Sequence, residues 1–191
     1  LDEVWCGTGL SGKYNCYEHD NIKPDFMFLG KSLGCGYIPL SAVLTTRRFF
    51  DVISNGSGRI ETSCTFQGHS IAAAAALEVQ KIIKAPGFLN SVNNKGKLLR
   101  ERLKKNLSNQ DSLFNIRGRG VRNSMEYKID NQNLFGQYIS KVMLEKHNIL
   151  ISGKWHRFNF SHAMNIQDDL LIDAINKFSE IYIDTEEKWS S

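Results

Sequence analysis

The 191-residue sequence lacks any apolar run long enough to cross a bilayer. Its longest mostly apolar stretch, Ile71 to Val79, is alanine-rich and far short of the roughly 20 residues that a spanning helix needs. There is little excess charge: 24 Lys and Arg against 20 Asp and Glu leave a formal +4, too mild to call for a nucleic acid or membrane partner. The cysteines, Cys6, Cys16, Cys35 and Cys64, fall in no C-x-x-C spacing. That argues against a zinc site or a disulfide framework and favours free thiols in a reducing cytoplasm. The arginines of Arg117-Gly118-Arg119-Gly120-Val121-Arg122 have no interleaved aromatics, and the basic helix from Lys95 to Lys105 has a clean apolar stripe, so its charge reads as a solvated face. Neither an initial methionine nor a signal peptide is present. Leu1-Asp2-Glu3-Val4-Trp5 reads as the end of a strand whose beginning is missing. A fragment is therefore expected, with any targeting segment upstream.

What is present is a patterned globular chain, 41% hydrophobic and 23% charged, ordinary for a folded protein. Phe26 to Leu29 and Leu40 to Leu44 read as short buried strands around the turn-rich segment Gly30 to Pro39. Arg47 to Asn55 reads as a helix. The loop Thr62 to Ser70 leads into a second helix through Lys84, for which His69-Ser70 supplies a capping hydroxyl, and Ala85-Pro86-Gly87 stops it. Phe88 to Leu107 has Leu89, Val92, Leu98, Leu99, Leu103 and Leu107 at helical spacing. Short strands alternating with helices predict an α/β layered domain with a largely parallel sheet. After the polar stretch Ser108 to Ser112 come strands at Phe114 to Arg117, Ser124 to Ile129, Ile149 to Ile151 and Arg157 to Phe160. Helices are expected at Leu134 to Lys146 and Asp168 to Ile183. The expected organisation is part of a larger domain over residues 1–107 and a small α+β domain over 108–191.

Four ordered segments carry chemistry. The first is Asp2-Glu3-Val4-Trp5-Cys6-Gly7-Thr8-Gly9-Leu10-Ser11-Gly12. The second combines Lys23-Pro24-Asp25, Gly30-Lys31 and Gly36-Tyr37-Ile38-Pro39-Leu40-Ser41-Ala42-Val43. The third is Thr65-Phe66-Gln67-Gly68-His69, running into the alanine helix, and the fourth is Arg117-Gly118-Arg119-Gly120 before a strand. Each alone is weak. In this order and spacing they resemble the class III pyridoxal-phosphate-dependent aminotransferases, and the resemblance covers essentially the whole chain. It implies an α/β fold: the cofactor-lysine part of a fold-type I large domain followed by a small α+β domain. It implies pyridoxal 5'-phosphate as cofactor, and transamination between an amino donor and an oxo acid.

The resemblance also distributes roles. Lys31 binds the cofactor covalently and, once displaced by substrate, shuttles a proton. Asp2 pairs with the protonated ring nitrogen, since an adjacent carboxylate favours that cation. Val4 packs on the ring face. Thr65 reaches the cofactor phosphate of a neighbouring subunit, which implies a homodimer with shared active sites. Arg157 is the nearest candidate to bind a substrate carboxylate. Each has an ordinary alternative: a turn-capping aspartate, a solvated lysine, a core valine, a loop threonine and an exposed strand arginine.

The chain also departs from the family pattern. Leu10-Ser11-Gly12 stands for Arg-Thr-Gly, and Gly68-His69-Ser70 for Gly-His-Pro. Trp5 occupies a position where some members have a glutamine touching the cofactor. The strand at Arg157 lacks the double proline that commonly follows. The Gly/Ser-rich phosphate loop and the aromatic that stacks on the cofactor would both precede Leu1. Mutases, racemases and decarboxylases share these cofactor residues, and a catalytically silent relative is a further alternative.

Overall fold

The structure is a computed structural model that describes residues 1–190, with Ser190 described by its backbone alone. The chain divides into two compact units, Leu1–Leu89 and Asn90–Ser191.

In the first unit, strand β1 (Phe26–Leu29) alternates strictly, with Met27 and Leu29 buried and Phe26 and Phe28 exposed. This is the period-two pattern of a half-buried strand. Its partner β2 (Ala42–Thr45) runs antiparallel, in the register Phe26 to Thr45 and Leu29 to Ala42. The expected parallel sheet is thus reduced to one parallel contact. Asp2 bridges Phe28, with Phe28 N–H donating to Leu1 O and Glu3 N–H to Phe28 O, each at 2.9 Å. Helix α1 (Arg47–Asn55) follows as expected.

Helix α2 (Ser70–Ile83) buries Ala72, Ala76, Val79 and Ile83, one face at helical spacing. Its cap differs from expectation. The His69 imidazole, not a hydroxyl, accepts the Ala72 N–H at Nδ1, 3.2 Å. An imidazole nitrogen with a free lone pair is an acceptor, so it can satisfy an orphan first-turn donor as an oxygen does.

Helix α3 (Phe88–Asn106) buries Val92, Gly96, Leu99 and Leu103. Gly96 lies so close to Gly120 that a Cβ there would collide with the Gly120 carbonyl oxygen. The compact units divide near the start of this helix rather than at the polar stretch after it, because Leu99, Leu103 and Leu107 belong to the core of the second unit.

That unit holds a fully antiparallel sheet in the order β3-β4-β6-β5, built from β3 (Leu113–Arg119), β4 (Arg122–Tyr127), β5 (Ser152–Lys154) and β6 (Arg157–Ser161). Helices α4 (Gln132–His147) and α5 (Asp168–Ser190) complete it. The strand expected at Ile149 to Ile151 lies three residues later, at β5. Those apolar residues instead line a cavity of about 340 Å³ with Phe160, Leu171 and Phe178. Burial can call for isoleucine and leucine without any ladder hydrogen bond, which is why a short apolar run misleads.

Candidate active site

The parallel contact between Asp2 and Phe28 sets two chain segments side by side. Continuing its register brings Val4 beside Gly30 and Trp5 beside Lys31. A close approach confirms the first pair, since a Cβ on Gly30 would stand 3.3 Å from Val4 Cγ1. A side chain at position 30 would press on the valine, which would have to give by a few tenths of an ångström, so glycine lets it sit close to the backbone that leads into Lys31. The second pair meets through side chains, with Lys31 Nζ 5.7 Å from the Trp5 ring centroid.

Lys31 has a left-handed backbone, φ 43°, which costs a non-glycine residue of order 1–2 kcal/mol. The surrounding structure holds it there. Leu33 N–H donates to Gly30 O at 2.8 Å, closing a 3-10 turn over Lys31–Leu33. The buried Ser32 hydroxyl donates to Gly7 O at 3.1 Å and is hydrogen-bonded to the Thr8 hydroxyl. Gln80 on α2 donates to Leu33 O at 2.8 Å and accepts from the Tyr14 hydroxyl at 2.7 Å. Lys31 itself remains exposed.

Asp2 is exposed, and its Oδ1 accepts the Val4 N–H at 2.9 Å. That bond tightens the turn out of the strand and leaves the other carboxylate oxygen available. Glu3, its neighbour, is 3% exposed. Its two oxygens accept the Cys16 and Tyr17 N–H groups, each at 2.8 Å, at the start of a 3-10 turn over Cys16–His19. Such charge-assisted bonds are the strong ones. Cys6 Sγ lies 3.5 Å from the same carboxylate. Burial first, and the adjacent Glu3 charge second, push the Cys6 thiol up to about 12, so it stays a thiol and donates.

Reading the sequence missed Glu3, Ser32, Thr8 and Gln80. Glu3 was legible: in a strand end whose Asp2 and Val4 share one face, the residue between them points the other way. Glu18 was legible too. Asn15-x-x-Glu18 is a capping-box pattern, and Glu18 Oε1 accepts the Asn15 N–H at 2.9 Å.

Thr65 stands exposed in a turn closed by Gln67 N–H to Cys64 O at 2.9 Å. The structure does not join it to Asp2, Val4 or Lys31. Arg157 belongs to the second unit. It opens β6 opposite Glu126, with its guanidinium carbon 5.8 Å from the Trp155 ring centroid.

A family model described as aminotransferase class-III matches residues 1–182. The chain belongs to the class III aminotransferase family. Among curated relatives, a vanillin aminotransferase of Capsicum frutescens is 30% identical over 98% of this chain and 43% of its own length. An aminotransferase of Gibberella zeae is 37% identical over 69% of this chain and 26% of its own. A solved ornithine aminotransferase from Toxoplasma gondii, described with partial occupancy of PLP at its active site, superposes with a TM-score of 0.86 at 26% identity. It covers 100% of this chain and 44% of that one. The chain thus spans less than half the length of these three relatives. The fold is the α/β fold of the PLP-dependent transaminases of fold type I, and the family implies pyridoxal phosphate as cofactor.

Proposed function

We propose that this chain carries the cofactor-lysine half of a pyridoxal-phosphate-dependent aminotransferase. The reaction moves an amino group from an amino donor to an oxo acid, releasing the donor's oxo product and an amino acid. The observation that carries the reading is the parallel contact that gathers Asp2, Val4 and Lys31 along one strand end.

The donor set fits the cofactor. An exposed carboxylate, an apolar side chain and a primary amine suit a cationic ring nitrogen, a flat ring and an aldehyde carbon. The Gly30 cradle, which a Cβ would press against Val4, supplies the close approach. When bound, pyridoxal phosphate supplies an electron sink for carbanionic charge at substrate Cα.

The chain's own residues do the rest. The Asp2 carboxylate keeps the ring nitrogen protonated. Val4 orients the ring from one face. Lys31 Nζ anchors the cofactor covalently and, when released, carries the proton from substrate Cα. The strained Lys31 backbone, pinned through Ser32 and Gln80, fixes where that amine starts. Thr65 serves the phosphate of a neighbouring subunit in a homodimer, and Arg157 meets a substrate carboxylate. The protein works in the cytoplasm.

Amino transfer by the full-length protein is the test. With cofactor, donor and oxo acid, the donor's oxo product should form in equal amount with the new amino acid. Lys31→Ala should abolish turnover. Asp2→Asn should fold normally yet slow proton removal by orders of magnitude. Undiminished turnover in Lys31→Ala would refute the assignment. For Thr65, mixing inactive Lys31→Ala and Thr65→Ala chains should restore activity in hybrid dimers. No rescue under verified subunit exchange would remove Thr65 from the shared site.

A further inference from the structure

The turn that carries Lys31 is reached from helix α2, and the side chain that reaches it is itself held from behind. Gln80 Nε2 donates to Leu33 O at 2.8 Å. A carbonyl only accepts, so chemistry alone assigns this amide: its NH2 end faces the turn and Oε1 faces away. Oε1 then accepts the Tyr14 hydroxyl at 2.7 Å. The Tyr14 ring is seated in turn. Lys84 Nζ, one helical turn beyond Gln80, stands 4.5 Å from its centroid, within cation–π range, and Gly9 N–H donates to Tyr14 O at 3.0 Å. Glutamine is among the costlier side chains to freeze, and a tyrosine already held against α2 freezes this one. Leu33 matters to Lys31 because both belong to one turn. Leu33 N–H closes it on Gly30 O, and Gly34 N–H returns to Lys31 O at 3.2 Å. Holding Leu33 O therefore steadies the left-handed Lys31 backbone from its C-terminal side.

Resting on the reading of Lys31 as the cofactor lysine, we propose that Tyr14 is a positioning residue for it: the Tyr14 hydroxyl orders the Gln80 amide, and the amide fixes the turn from which the lysine side chain departs. Neither residue is catalytic. Their bonds end on backbone rather than on the amine, so they act alike whether that amine is charged or neutral.

Two measurements on the full-length protein test this. The first needs no cofactor. Gln80→Met keeps side-chain length and helix propensity but removes both polar ends. Hydrogen exchange in peptides covering Gly30 to Gly34 should speed up about two- to tenfold, the worth of one hydrogen bond, and by less in Tyr14→Phe. The second is steady-state amino transfer. Gln80→Met should lower kcat about three- to tenfold with KM for the amino donor within about twofold, because misplacing a reacting group slows the chemical step. Gln80→Glu, whose carboxylate accepts from Tyr14 but offers Leu33 O no donor, should lose as much. Tyr14→Phe should cost about two- to threefold in the wild type and nothing further in Gln80→Met, since it acts through that amide. A merely structural role would lower the folded fraction and leave kcat per folded molecule unmoved. Unchanged exchange or unchanged kcat in Gln80→Met overturns the proposal, as does a Tyr14→Phe effect that persists in the Gln80→Met background. If exchange speeds up while borohydride traps the cofactor on another lysine, the Lys31 reading fails and takes the positioning role with it, leaving Tyr14 and Gln80 as structural supports of the turn.

Discussion

In the second unit, Tyr127, Phe135, Phe158, Phe178 and Tyr182 pack ring against ring, with centroid separations from 5.0 to 6.4 Å. Leu99, Leu103, Met125, Ile139 and Met143 surround them. In the first unit, the apolar cluster around β1 is small, comprising Met27, Leu29 and Leu33. Much of what fixes the backbone there is polar: Glu3 on Cys16 and Tyr17, Ser32 on Gly7, Gln80 on Leu33. Hydrophobic burial is non-directional and tolerates small shifts. Hydrogen bonds from buried groups set positions to fractions of an ångström and are costly to leave unmade. The candidate site lies where position is set by hydrogen bonds, and the larger apolar core lies in the unit that does not contain Lys31.

Truncating the aromatic core should give the largest effect. Phe158 is fully buried, so Phe158→Ala should cost about 3–5 kcal/mol, read as a fall in the denaturant midpoint of the second unit. The same core carries a pH signature. Burial pushes the Tyr127 hydroxyl up to about 12 and raises that of Tyr182 as well. The folded state therefore holds protons that the unfolded chain releases from about pH 10. Stability from these tyrosines is complete below that pH and declines as pH rises toward the folded values. Alkaline unfolding, followed by tyrosinate absorbance, should be cooperative with loss of this core. Tyrosinate forming well before unfolding would break the comparison.

Glu3→Gln should act on the polar unit by a smaller amount. The amide keeps the volume but cannot accept from both backbone donors, because one of its two ends is itself a donor. The expected loss is about 1.5–3 kcal/mol, seen as faster hydrogen exchange at the Cys16 and Tyr17 amides with the second unit unchanged. Equal protection in the variant would show that Glu3 does not pin this turn.

The smallest effect belongs to a surface pair. Arg117 donates to Glu126 at 2.6 Å and holds its carboxyl below the usual range. Its contribution is present above about pH 4 and lost as pH falls through the lower folded value. Because Arg117 is largely solvated, that contribution should stay under about 1 kcal/mol and shrink with salt. Urea midpoints between pH 6 and pH 3 for wild type and Arg117→Met should converge at the acid end. Curves that stay parallel would contradict the pairing.

This contrast also explains what the sequence made legible. Helices α1 to α3 could be read almost to the residue, because apolar spacing and Pro86-Gly87 mark them. Lys31, Asp2 and Val4 could be singled out as candidates because their flanking motif is local. The strand at β5 could not, since Ile149 to Ile151 are apolar for the sake of a cavity rather than a ladder. The antiparallel pairing of β1 with β2 escaped notice because alternation gives a strand its faces but not its partner's direction. Gln80 reaches Leu33 from α2 across 47 positions of sequence, and no local pattern announces such a contact.

The central claim is that Lys31 is the residue that captures the cofactor. Incubating the full-length protein with pyridoxal phosphate, reducing with borohydride and mapping the modified peptide by mass spectrometry tests it directly. The account predicts one dominant adduct on Lys31, absent in Lys31→Ala and undiminished when the exposed Lys13 is changed to Ala. A dominant adduct on any other lysine, or equal labelling of the exposed lysines with no preference for Lys31, would contradict it.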